Sequence, residues 1–325
     1  MSASQQTSQN ITKTETNEKK FKVTQIGLGV VGGSFGLSYK KVGCDVVGIE
    51  ASKELVEKFK KEFETYHISD DLSHVKDVDF IFLSINTPLD EATQKLNLKY
   101  LFSSIPNVCT IVKNSPKALV VVRSTVPPTT TNTYKKELEA LCGFKVNVLF
   151  QPEYLRAYSA KKDSEAPLYI IIGRDEGTDV SSLIELYSKF IAREKIEEMT
   201  IEEAELQKLF HNCFNATKIS YFNQCKLLMD AVNKEHKSNI NADRVIMSLA
   251  NTCEGLWNRR YGLKSGHAFG GFCLPKDMKQ AAYLEKIYGL KAQIFKSVND
   301  VNEIYKATDR EEILVGDFHM SYDKV

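Results

Sequence analysis

The first half of the chain alternates short apolar runs with longer stretches in which apolar residues recur at helical spacing. The apolar runs that predict buried strands lie at 21–26, 45–49, 78–84, 118–123 and 146–150. Helical patterns lie between them at 33–42, 52–66 and 98–114. Strands that alternate with helices predict an α/β fold with a doubly wound parallel sheet. Ligands of such sheets bind beyond the carboxyl ends of the strands.

The second half of the chain is dominated by one long helical pattern. From a capping box formed by Thr200 and Glu203 to about Val232, no glycine or proline interrupts this pattern. A helix of this length is unusual in a globular domain and is typical of a spine between domains. Lys208 and Asn212 are four residues apart and therefore share a face of the predicted helix. A solvated helix face is the simpler interpretation of either residue alone.

Composition and charge narrow the possible functions. The net charge is +1, so no global basic field favours nucleic acid or an anionic membrane. The seven cysteines form no CxxC pair and no Cys/His spacing typical of a metal site. We therefore expect no metal, no disulfide framework and a reduced, cytoplasmic compartment. Residues 1–20 contain no signal-peptide core, and no apolar run in the chain is long enough to span a bilayer.

A glycine-rich turn follows the first predicted strand. Gly27, Gly29 and Gly32 form a GxGxxG pattern that includes Val30 and Val31 and leads into the first predicted helix. In this context the first glycine makes the tight turn, and the second lets a pyrophosphate approach the backbone. The third lets the helix pack closely on the strand. The pattern alone is weak, and it is the order of strand, turn and helix that predicts dinucleotide binding.

An acidic residue, Glu50, ends the second predicted strand. A carboxylate at this offset suits a ribose 2′-hydroxyl and repels a 2′-phosphate, which favours NAD over NADP. We predict a Rossmann-like NAD-binding domain at 21–198 and a mainly helical central or dimerisation domain at 199–307. The remaining segments are a polar tail at 1–20, expected to be disordered, and a short C-terminal tail at 308–325.

Three further polar residues fall just beyond predicted strands. Thr87, Thr125 and Glu153 follow the third, fourth and fifth strands, so all three could face one crevice. Each signal is weak by itself, because Thr-Pro sequences are also common in turns.

The stretch GHAFGGFCLPKD, which ends at Asp277, carries the remaining candidate chemistry. Pro275 suits a first helical position, which would place Cys273 just ahead of a helix and Asp277 in its first turn. Unpaired amides and the helix dipole at such a position favour a thiolate. The glycine pair that begins at Gly270 would let the backbone pass close to a ligand. A buried, unreactive cysteine is the competing interpretation.

Taken together, these segments resemble the UDP-glucose/GDP-mannose dehydrogenase family. IGLGVVGG resembles its nucleotide turn, NTPLD its VxTPLD segment, and RSTVPPTTT its STVPPGTT segment. QPEYLRAYSAKKD is similar to NPEFLREGxAxxD, and EAELQKLFHNCFNATKISYFNQ to AELxKYAxNAFLATKISFxNE. GHAFGGFCLPKD is similar to GxAFGGSCLPKD. The resemblance runs from about Lys20 to about Glu303, and its six motifs in order argue against chance.

The resemblance implies an NAD-dependent nucleotide-sugar 6-dehydrogenase. Members oxidise the 6-hydroxyl of a nucleotide sugar to a carboxylate with two NAD⁺, and UDP-glucose is the expected substrate. Carried over by motif, Cys273 would be the nucleophile of a thiohemiacetal and then a thioester. Lys208 would stabilise the oxyanion, and Asn212 would hydrogen-bond the same oxygen. Asp277, with Thr125, would hold and activate a water.

The resemblance also implies the binding residues and the assembly. Glu153 would complete the acid–base relay. The implied substrate contacts are Glu153, Tyr154, Leu155, Lys208, Asn212, Phe269 and Gly270. The implied cofactor contacts are Gly27, Gly29, Val30, Val31, Gly32, Glu50, Thr87 and Thr125. Because the family dimerises through its central helical region, a homodimer is expected.

The sequence departs from the family pattern at several places. Members continue into a third α/β domain that grips the nucleotide, whereas the tail at 308–325 is shorter than a domain of about 50 residues. We therefore expect weak nucleotide-sugar binding, or a separate chain that supplies the missing domain. Gln151 replaces Asn, Ala157 replaces an acidic residue and Phe272 replaces a small one. The acidic Glu-Pro-Gly segment expected after the pattern at 52–66 is absent.

Two other functions stay open. A catalytically weak relative could act as an NAD-binding or interaction module, although such a module would need neither Lys208 nor Cys273. A two-electron hydroxyacid dehydrogenase could use the pair of Lys208 and Asn212 without a cysteine. The LPKD motif does not separate UDP-glucose from GDP-mannose enzymes.

Overall fold

The computed structural model describes residues 20–259, 261–263, 265–271 and 273–308. The predicted tails, apart from Lys20 and Thr308, therefore lie outside the described residues, and so does Phe272. The chain divides into two compact units, which we call unit 1, up to His211, and unit 2, from Asn212. The domain boundaries expected at 198 and 307 stay predictions.

A mostly parallel sheet forms the centre of unit 1. In chain order the strands are β1 (Lys22–Ile26), β2 (Asp45–Glu50), β3 (Glu64–His67), β4 (Phe80–Leu83), β5 (Leu89–Asp90), β6 (Lys95–Leu96), β7 (Leu119–Val122), β8 (Asn147–Phe150), β9 (Ile170–Gly173) and β10 (Ile196–Met199). Strands β5 and β6 form a separate antiparallel hairpin. In the described residues the main sheet has eight strands in the order β10-β9-β8-β7-β4-β1-β2-β3. The run from β3 to β8 is parallel throughout, which confirms the predicted doubly wound fold.

Helices cover both faces of this sheet. They are α1 (Val30–Lys41), α2 (Lys53–Phe59), α3 (Lys99–Phe102), α4 (Ile105–Lys113), α5 (Thr130–Cys142), α6 (Ala160–Glu165) and α7 (Ser181–Ser188). Because side chains alternate along a strand, each strand contributes side chains to two cores, one on each face of the sheet. In β4, Ile81 packs in the core that includes α4 and α5, whereas Phe82 packs with α1 and α7. Both faces are apolar because both are covered.

Two predicted helices differ from the structure. The pattern at 52–66 ends as a helix at Phe59, and Glu64–His67 instead pairs in parallel with β2 at the sheet edge. The helix predicted at 98–114 is broken into α3 and α4. Pro106 lies at the start of α4, and because it has no amide hydrogen it cannot continue the hydrogen-bond ladder of α3.

The long helix α8 (Ile201–His236) begins in unit 1 and ends in unit 2. Its start is the predicted capping box: the Thr200 amide donates to the Glu203 carboxylate at 2.8 Å, and the Glu203 amide donates to Thr200 Oγ1 at 3.3 Å. No helix among the described residues is both long enough and apolar enough to cross a membrane.

Helices also make up most of unit 2. After α8 come α9 (Ala242–Thr252), α10 (Glu254–Trp257), α11 (Cys273–Ile287) and α12 (Ile294–Thr308). The buried Glu285 carboxylate of α11 accepts the amides of Phe295 and Lys296, both at 3.0 Å, and so caps α12. Gln224 of α8 donates to the same carboxylate at 2.6 Å. This one buried acid therefore joins three helices.

Candidate active site

The glycine turn has the shape that a dinucleotide needs. Gly27 has φ +84°, and a Cβ there would lie 2.4 Å from the Ser84 carbonyl oxygen. A Cβ on Gly32 would lie 1.8 Å from the Gly27 carbonyl oxygen. Beside Gly29, by contrast, nothing lies within 4 Å of a Cβ position. Gly29 is the N-cap of α1 and has no side-chain capping bond, so the first amides of α1 are available to a diphosphate.

The Glu50 carboxylate is fixed beside this turn. One oxygen accepts the Leu28 amide at 2.6 Å, and the other accepts the amides of Ala51 and Ser52, both at 2.8 Å. The end of β2 is thereby tied to the glycine turn after β1, its neighbour in the sheet. The Glu50 carboxylate is thus fixed at the position where the ribose of a bound NAD is expected.

The segments after β4 and β7 are joined at the same edge of the sheet. Thr87 Oγ1 donates to the Thr125 carbonyl oxygen at 2.7 Å, and the Ile85 amide donates to Ser124 Oγ at 2.9 Å. Thr87 and Thr125 are therefore brought together, as the parallel sheet predicts for residues beyond adjacent strand ends.

Lys208 is anchored beyond the end of β8. Its Nζ donates to the Glu153 carbonyl oxygen and lies 3.3 Å from Glu153 Oε1. The Lys208 side chain is only 5% exposed, and its Nζ lies 5.1 Å from the centre of the Tyr154 ring. The other Glu153 carboxylate oxygen accepts the Leu155 amide at 2.6 Å. The structure thus brings together four of the predicted substrate contacts: Glu153, Tyr154, Leu155 and Lys208. One carboxylate oxygen of Glu153 faces Lys208, and the other holds the loop at Leu155.

Two residues of α8 that the sequence analysis missed contact this loop. Gln207 accepts the hydroxyl of Tyr154, and the His211 ring lies 4.8 Å from the Tyr154 ring. Burial and the Lys208 charge both lower the pKa of His211. The His211 ring therefore lies close to both the Tyr154 ring and the charged Lys208 side chain. Helical spacing in the sequence could have indicated His211, because it lies three positions after Lys208 and four after Gln207.

A buried acid holds α8 in register near Lys208. The Glu205 carboxylate accepts the amide of Thr129 at 2.6 Å and that of Thr131 at 2.8 Å, and Glu205 is fully buried. Thr129 is the N-cap of α5 and Thr131 is its second residue, so Glu205 caps that helix. Because Glu205 precedes Lys208 by three residues, it fixes the helical turn from which Lys208 projects.

In unit 2, Asn302 holds the glycine-rich segment that precedes Cys273. The Phe269 amide donates to Asn302 Oδ1 at 2.7 Å, and Asn302 Nδ2 donates to the Phe269 carbonyl oxygen at 3.1 Å. Asn302 is buried, and so is Gly270. A cavity of about 550 Å³ lies beside this segment, between residues 265–269 and α12. No local pattern marks Asn302 in the sequence, because it lies 33 positions after Phe269.

Cys273 is exposed and is the first residue of α11. The helix therefore begins two residues earlier than predicted, so that Cys273 lies within it, and Pro275 is the third helical residue instead of the first. Proline is tolerated there because no amide of the first turn has an acceptor within the helix. The prediction that Asp277 lies in the first turn is also wrong, because it is the fifth residue of α11. It lies one turn after Cys273, on the same helix face, and its carboxylate is 3.2 Å from Lys276 Nζ. Asn212 is exposed on α8.

Comparison with known proteins identifies the family. The NAD-binding domain of the UDP-glucose/GDP-mannose dehydrogenase family matches residues 61–191, and its central domain matches residues 202–304. The two matches together cover more than half of the chain. The chain belongs to this family.

Individual relatives agree with this membership. UDP-glucose 6-dehydrogenase of Campylobacter jejuni is 30% identical over 258 residues, which are 78% of this chain and 60% of that protein. GDP-mannose 6-dehydrogenase of Pseudomonas savastanoi is 26% identical over 89% of this chain and 70% of its own length. A crystal structure of a ternary complex of GDP-mannose dehydrogenase from Pseudomonas aeruginosa is 25% identical, with a TM-score of 0.76. That comparison covers 87% of this chain and 68% of the other.

NAD is the cofactor of the family's N-terminal domain, and the glycine turn fits it. The turn itself precedes the matched range of 61–191, so its assignment depends on its own geometry. Open space beside Gly29 and free amides at the start of α1 would hold the diphosphate, and Glu50 would face the adenosine ribose.

The glycine turn yields a prediction with a matched control. Gly32→Ala should destabilise the protein by about 1–3 kcal/mol, because its Cβ would overlap the Gly27 carbonyl oxygen. Gly29→Ala should change stability by less than about 0.5 kcal/mol, yet weaken NAD⁺ binding at least about tenfold by filling the diphosphate's approach. Thermal unfolding and calorimetric NAD⁺ titration would separate the two effects. Wild-type NAD⁺ affinity in Gly29→Ala would contradict this account of the turn.

Glu50 yields a prediction on cofactor choice. NAD⁺ should bind at least about tenfold more tightly than NADP⁺, because a 2′-phosphate would meet the fixed carboxylate and like charges in contact cost several kcal/mol. Glu50→Gln should reduce this preference, mainly by improving NADP⁺ binding. Both cofactors can be titrated by calorimetry. Equal or tighter binding of NADP⁺ by the native protein would refute the role of Glu50.

The loop after Glu153 yields a prediction on pH. Asp163 accepts Arg156 Nε at 3.0 Å, Arg156 Nη2 at 2.7 Å and Ser159 Oγ at 2.8 Å. Hydrogen bonds from the Arg156 side chain and amide hold the pKa of Asp163 well below its usual range. A lowered pKa gives stability that is present above the unfolded value of about 3.9 and is lost as pH falls below it.

Amide protection across residues 153–163 should therefore be constant from neutral pH to about pH 5 and should fall in stronger acid. Asp163→Asn should show the low protection already at neutral pH. Hydrogen exchange, expressed as protection factors, measures both. Unchanged neutral-pH protection in Asp163→Asn would show that the ion pair does not order this loop.

Proposed function

We propose that the protein oxidises the 6-hydroxyl of a nucleotide sugar to the uronic acid with NAD⁺, and that UDP-glucose is its substrate. The observation that carries this proposal is Lys208, a buried ammonium held by Glu153 beyond the end of β8, on a scaffold with an NAD-binding turn. A desolvated and preorganised positive charge suits an oxygen that becomes negative during the reaction.

In the proposed reaction, Lys208 stabilises the alkoxide of the substrate, and Asn212 donates a hydrogen bond to the same oxygen. Glu153 holds Lys208 in place through its carbonyl and carboxylate oxygens. Bound NAD⁺ supplies the hydride acceptor for both oxidations, one cofactor for each. A water held by Asp277 and Thr125 takes the hydroxyl proton in the first oxidation.

Cys273 is proposed to carry the covalent stage. Its thiolate adds to the aldehyde carbon, so that a C–S bond forms and the carbonyl oxygen becomes the oxyanion of a thiohemiacetal. After the second oxidation the carbon is a thioester, which water attacks. The C–S bond then breaks, the thiolate leaves and the uronic acid is released. The exposed position of Cys273 at the start of α11 is compatible with access by substrate.

A homodimer through unit 2 is part of the proposal. The helices of this unit carry exposed large apolar side chains, including Phe214, Ile219, Met247 and Trp257. Contiguous exposed apolar patches mark protein–protein interfaces, and the proposal is that a second copy of the chain covers these side chains. Sedimentation equilibrium measures the mass directly, and a monomer at micromolar concentration would contradict the dimer.

The function is tested by measuring NADH formed from UDP-glucose, GDP-mannose, other nucleotide sugars and simple hydroxy acids. The proposal expects two NADH per uronic acid from a nucleotide sugar. Oxidation of a hydroxy acid with one NADH per molecule would replace it with the hydroxyacid dehydrogenase alternative. NAD⁺ binding without any turnover would favour the binding-module alternative.

A further inference from the structure

A fully buried arginine lies beyond the end of β7, outside the set of predicted site residues. Arg123 is 1% exposed, and its guanidinium carbon lies 3.9 Å from the centre of the Phe35 ring and 4.4 Å from that of Phe82. No carboxylate in the described residues hydrogen-bonds to it; its acceptors are neutral. Burying an unpaired charge is costly, and the aromatic rings and the neutral acceptors offset part of that cost.

The neutral acceptors of Arg123 converge on one amide group. Arg123 Nε and Nη2 donate to Gln151 Oε1 at 3.0 and 2.8 Å. The Tyr187 hydroxyl donates to the same oxygen at 2.7 Å. Three donors on one oxygen fix which end of the Gln151 amide points inward, because the opposite orientation would set its NH₂ group against the guanidinium.

The other end of the amide reaches the Lys208 anchor. Gln151 Nε2 donates to the Pro152 carbonyl oxygen at 2.6 Å. The next residue is Glu153, whose carbonyl and carboxylate oxygens hold Lys208 Nζ. The Gln151 backbone amide is also fixed, since it donates to the Val122 carbonyl oxygen at 2.8 Å. A continuous series of contacts therefore runs from the buried guanidinium to the ammonium group.

We propose that Arg123 and Gln151 are positioning residues for Lys208. The buried charge orients the Gln151 amide, the amide fixes the Pro152 carbonyl group, and the peptide that follows places Glu153 against Lys208. The inference rests on the proposed function in one respect: Lys208 is taken to be the group whose position controls turnover. The contact network itself makes a physical prediction about Lys208 that needs no substrate.

Gln151→Glu separates positioning from stability. The carboxylate keeps an oxygen for Arg123 and gives the buried charge a partner, but it has no hydrogen to donate to the Pro152 carbonyl group. We expect kcat to fall at least about tenfold, because a displacement of about 1 Å of a positioned group can cost about 100-fold. NAD⁺ affinity should not change. The control is Tyr134→Phe. Tyr134 is as buried as Gln151, and its hydroxyl pairs with Ser104. This variant should lower stability without lowering kcat.

A second readout follows Lys208 directly. The rate at which an amine-reactive acylating reagent labels Lys208, measured by peptide mass spectrometry, should be higher in Gln151→Glu than in the wild type and in Tyr134→Phe. If Gln151→Glu does not fold, Tyr187→Phe removes one donor to Gln151 and should raise labelling by a smaller factor. An active wild type whose kcat and Lys208 labelling are both unchanged by Gln151→Glu would overturn the inference.

The two proposals can fail separately. A wild type that oxidises no nucleotide sugar, but in which Gln151→Glu still accelerates Lys208 labelling, would refute the proposed function and support the positioning network. An inactive wild type with unchanged labelling in the variant would refute both.

Discussion

Replacing Lys208 with methionine should lower kcat by about 10²–10³-fold, the range found when one preorganised donor to a developing oxyanion is removed. Methionine keeps an unbranched side chain of similar length but has no charge to stabilise the alkoxide. NAD⁺ binding should be unchanged, because the glycine turn and Glu50 do not contact Lys208. Initial rates of NADH formation at saturating substrate, with calorimetric NAD⁺ titration, would measure both quantities.

Stability must be measured alongside activity, because Lys208→Met also leaves the Glu153 carboxylate without its cation. Removing one partner of a buried ion pair can cost about 3–5 kcal/mol, so unfolding curves are needed to show that the variant is folded at the assay temperature. Lys226→Met is the control: Lys226 lies on the same helix and is exposed, and its ion pair with Asp230 is a surface contact. A folded Lys208→Met protein with the wild-type kcat would refute the proposed role of Lys208.

The signals that predicted the fold are local in the sequence. The alternation of apolar runs and helical patterns predicted five strands of the main sheet and the parallel fold class, and the spacing from Gly27 to Glu50 marked the dinucleotide turn. Thr200 and Glu203 marked the start of the long helix because a capping box involves only four consecutive residues. Such features depend on neighbouring residues and can be read before any tertiary contact is known.

The features that were missed depend on partners far apart in the chain. The helical pattern at 52–66 extends over strand β3, since only the pairing of β3 with β2 at the sheet edge makes it a strand. The Lys208 anchor joins residues 55 positions apart, and motif resemblance identified the lysine without indicating how it is held. Arg123 is the last residue of the predicted strand at 118–123, and nothing local in the sequence indicates what its charge contacts. Its burial follows from the rings of α1 and β4 and the tyrosines that surround it.

Cys273→Ser should abolish formation of the uronic acid while leaving part of the first oxidation intact. The first oxidation is proposed to need Lys208, Asn212 and the water held by Asp277, and none of these is changed by the substitution. The second requires a tetrahedral carbon that carries a transferable hydride, which the thiolate provides by adding to the aldehyde. A serine hydroxyl is a far weaker nucleophile at neutral pH, because it has no anion of low pKa and needs an adjacent base.

The measurement compares NADH with acid formed, in the native protein and in the variant. The native protein should form two NADH per uronic acid, whereas Cys273→Ser should form NADH without a matching amount of acid. Mass spectrometry of the variant after incubation with UDP-glucose and NAD⁺ tests for an ester that hydrolyses slowly and leaves sugar on Ser at this position. Exposed Cys213 is the matched control, since it is a free thiol on α8 and Cys213→Ser should keep the native stoichiometry. A Cys273→Ser protein with native turnover and two NADH per acid would show that the reaction does not pass through a thioester on Cys273.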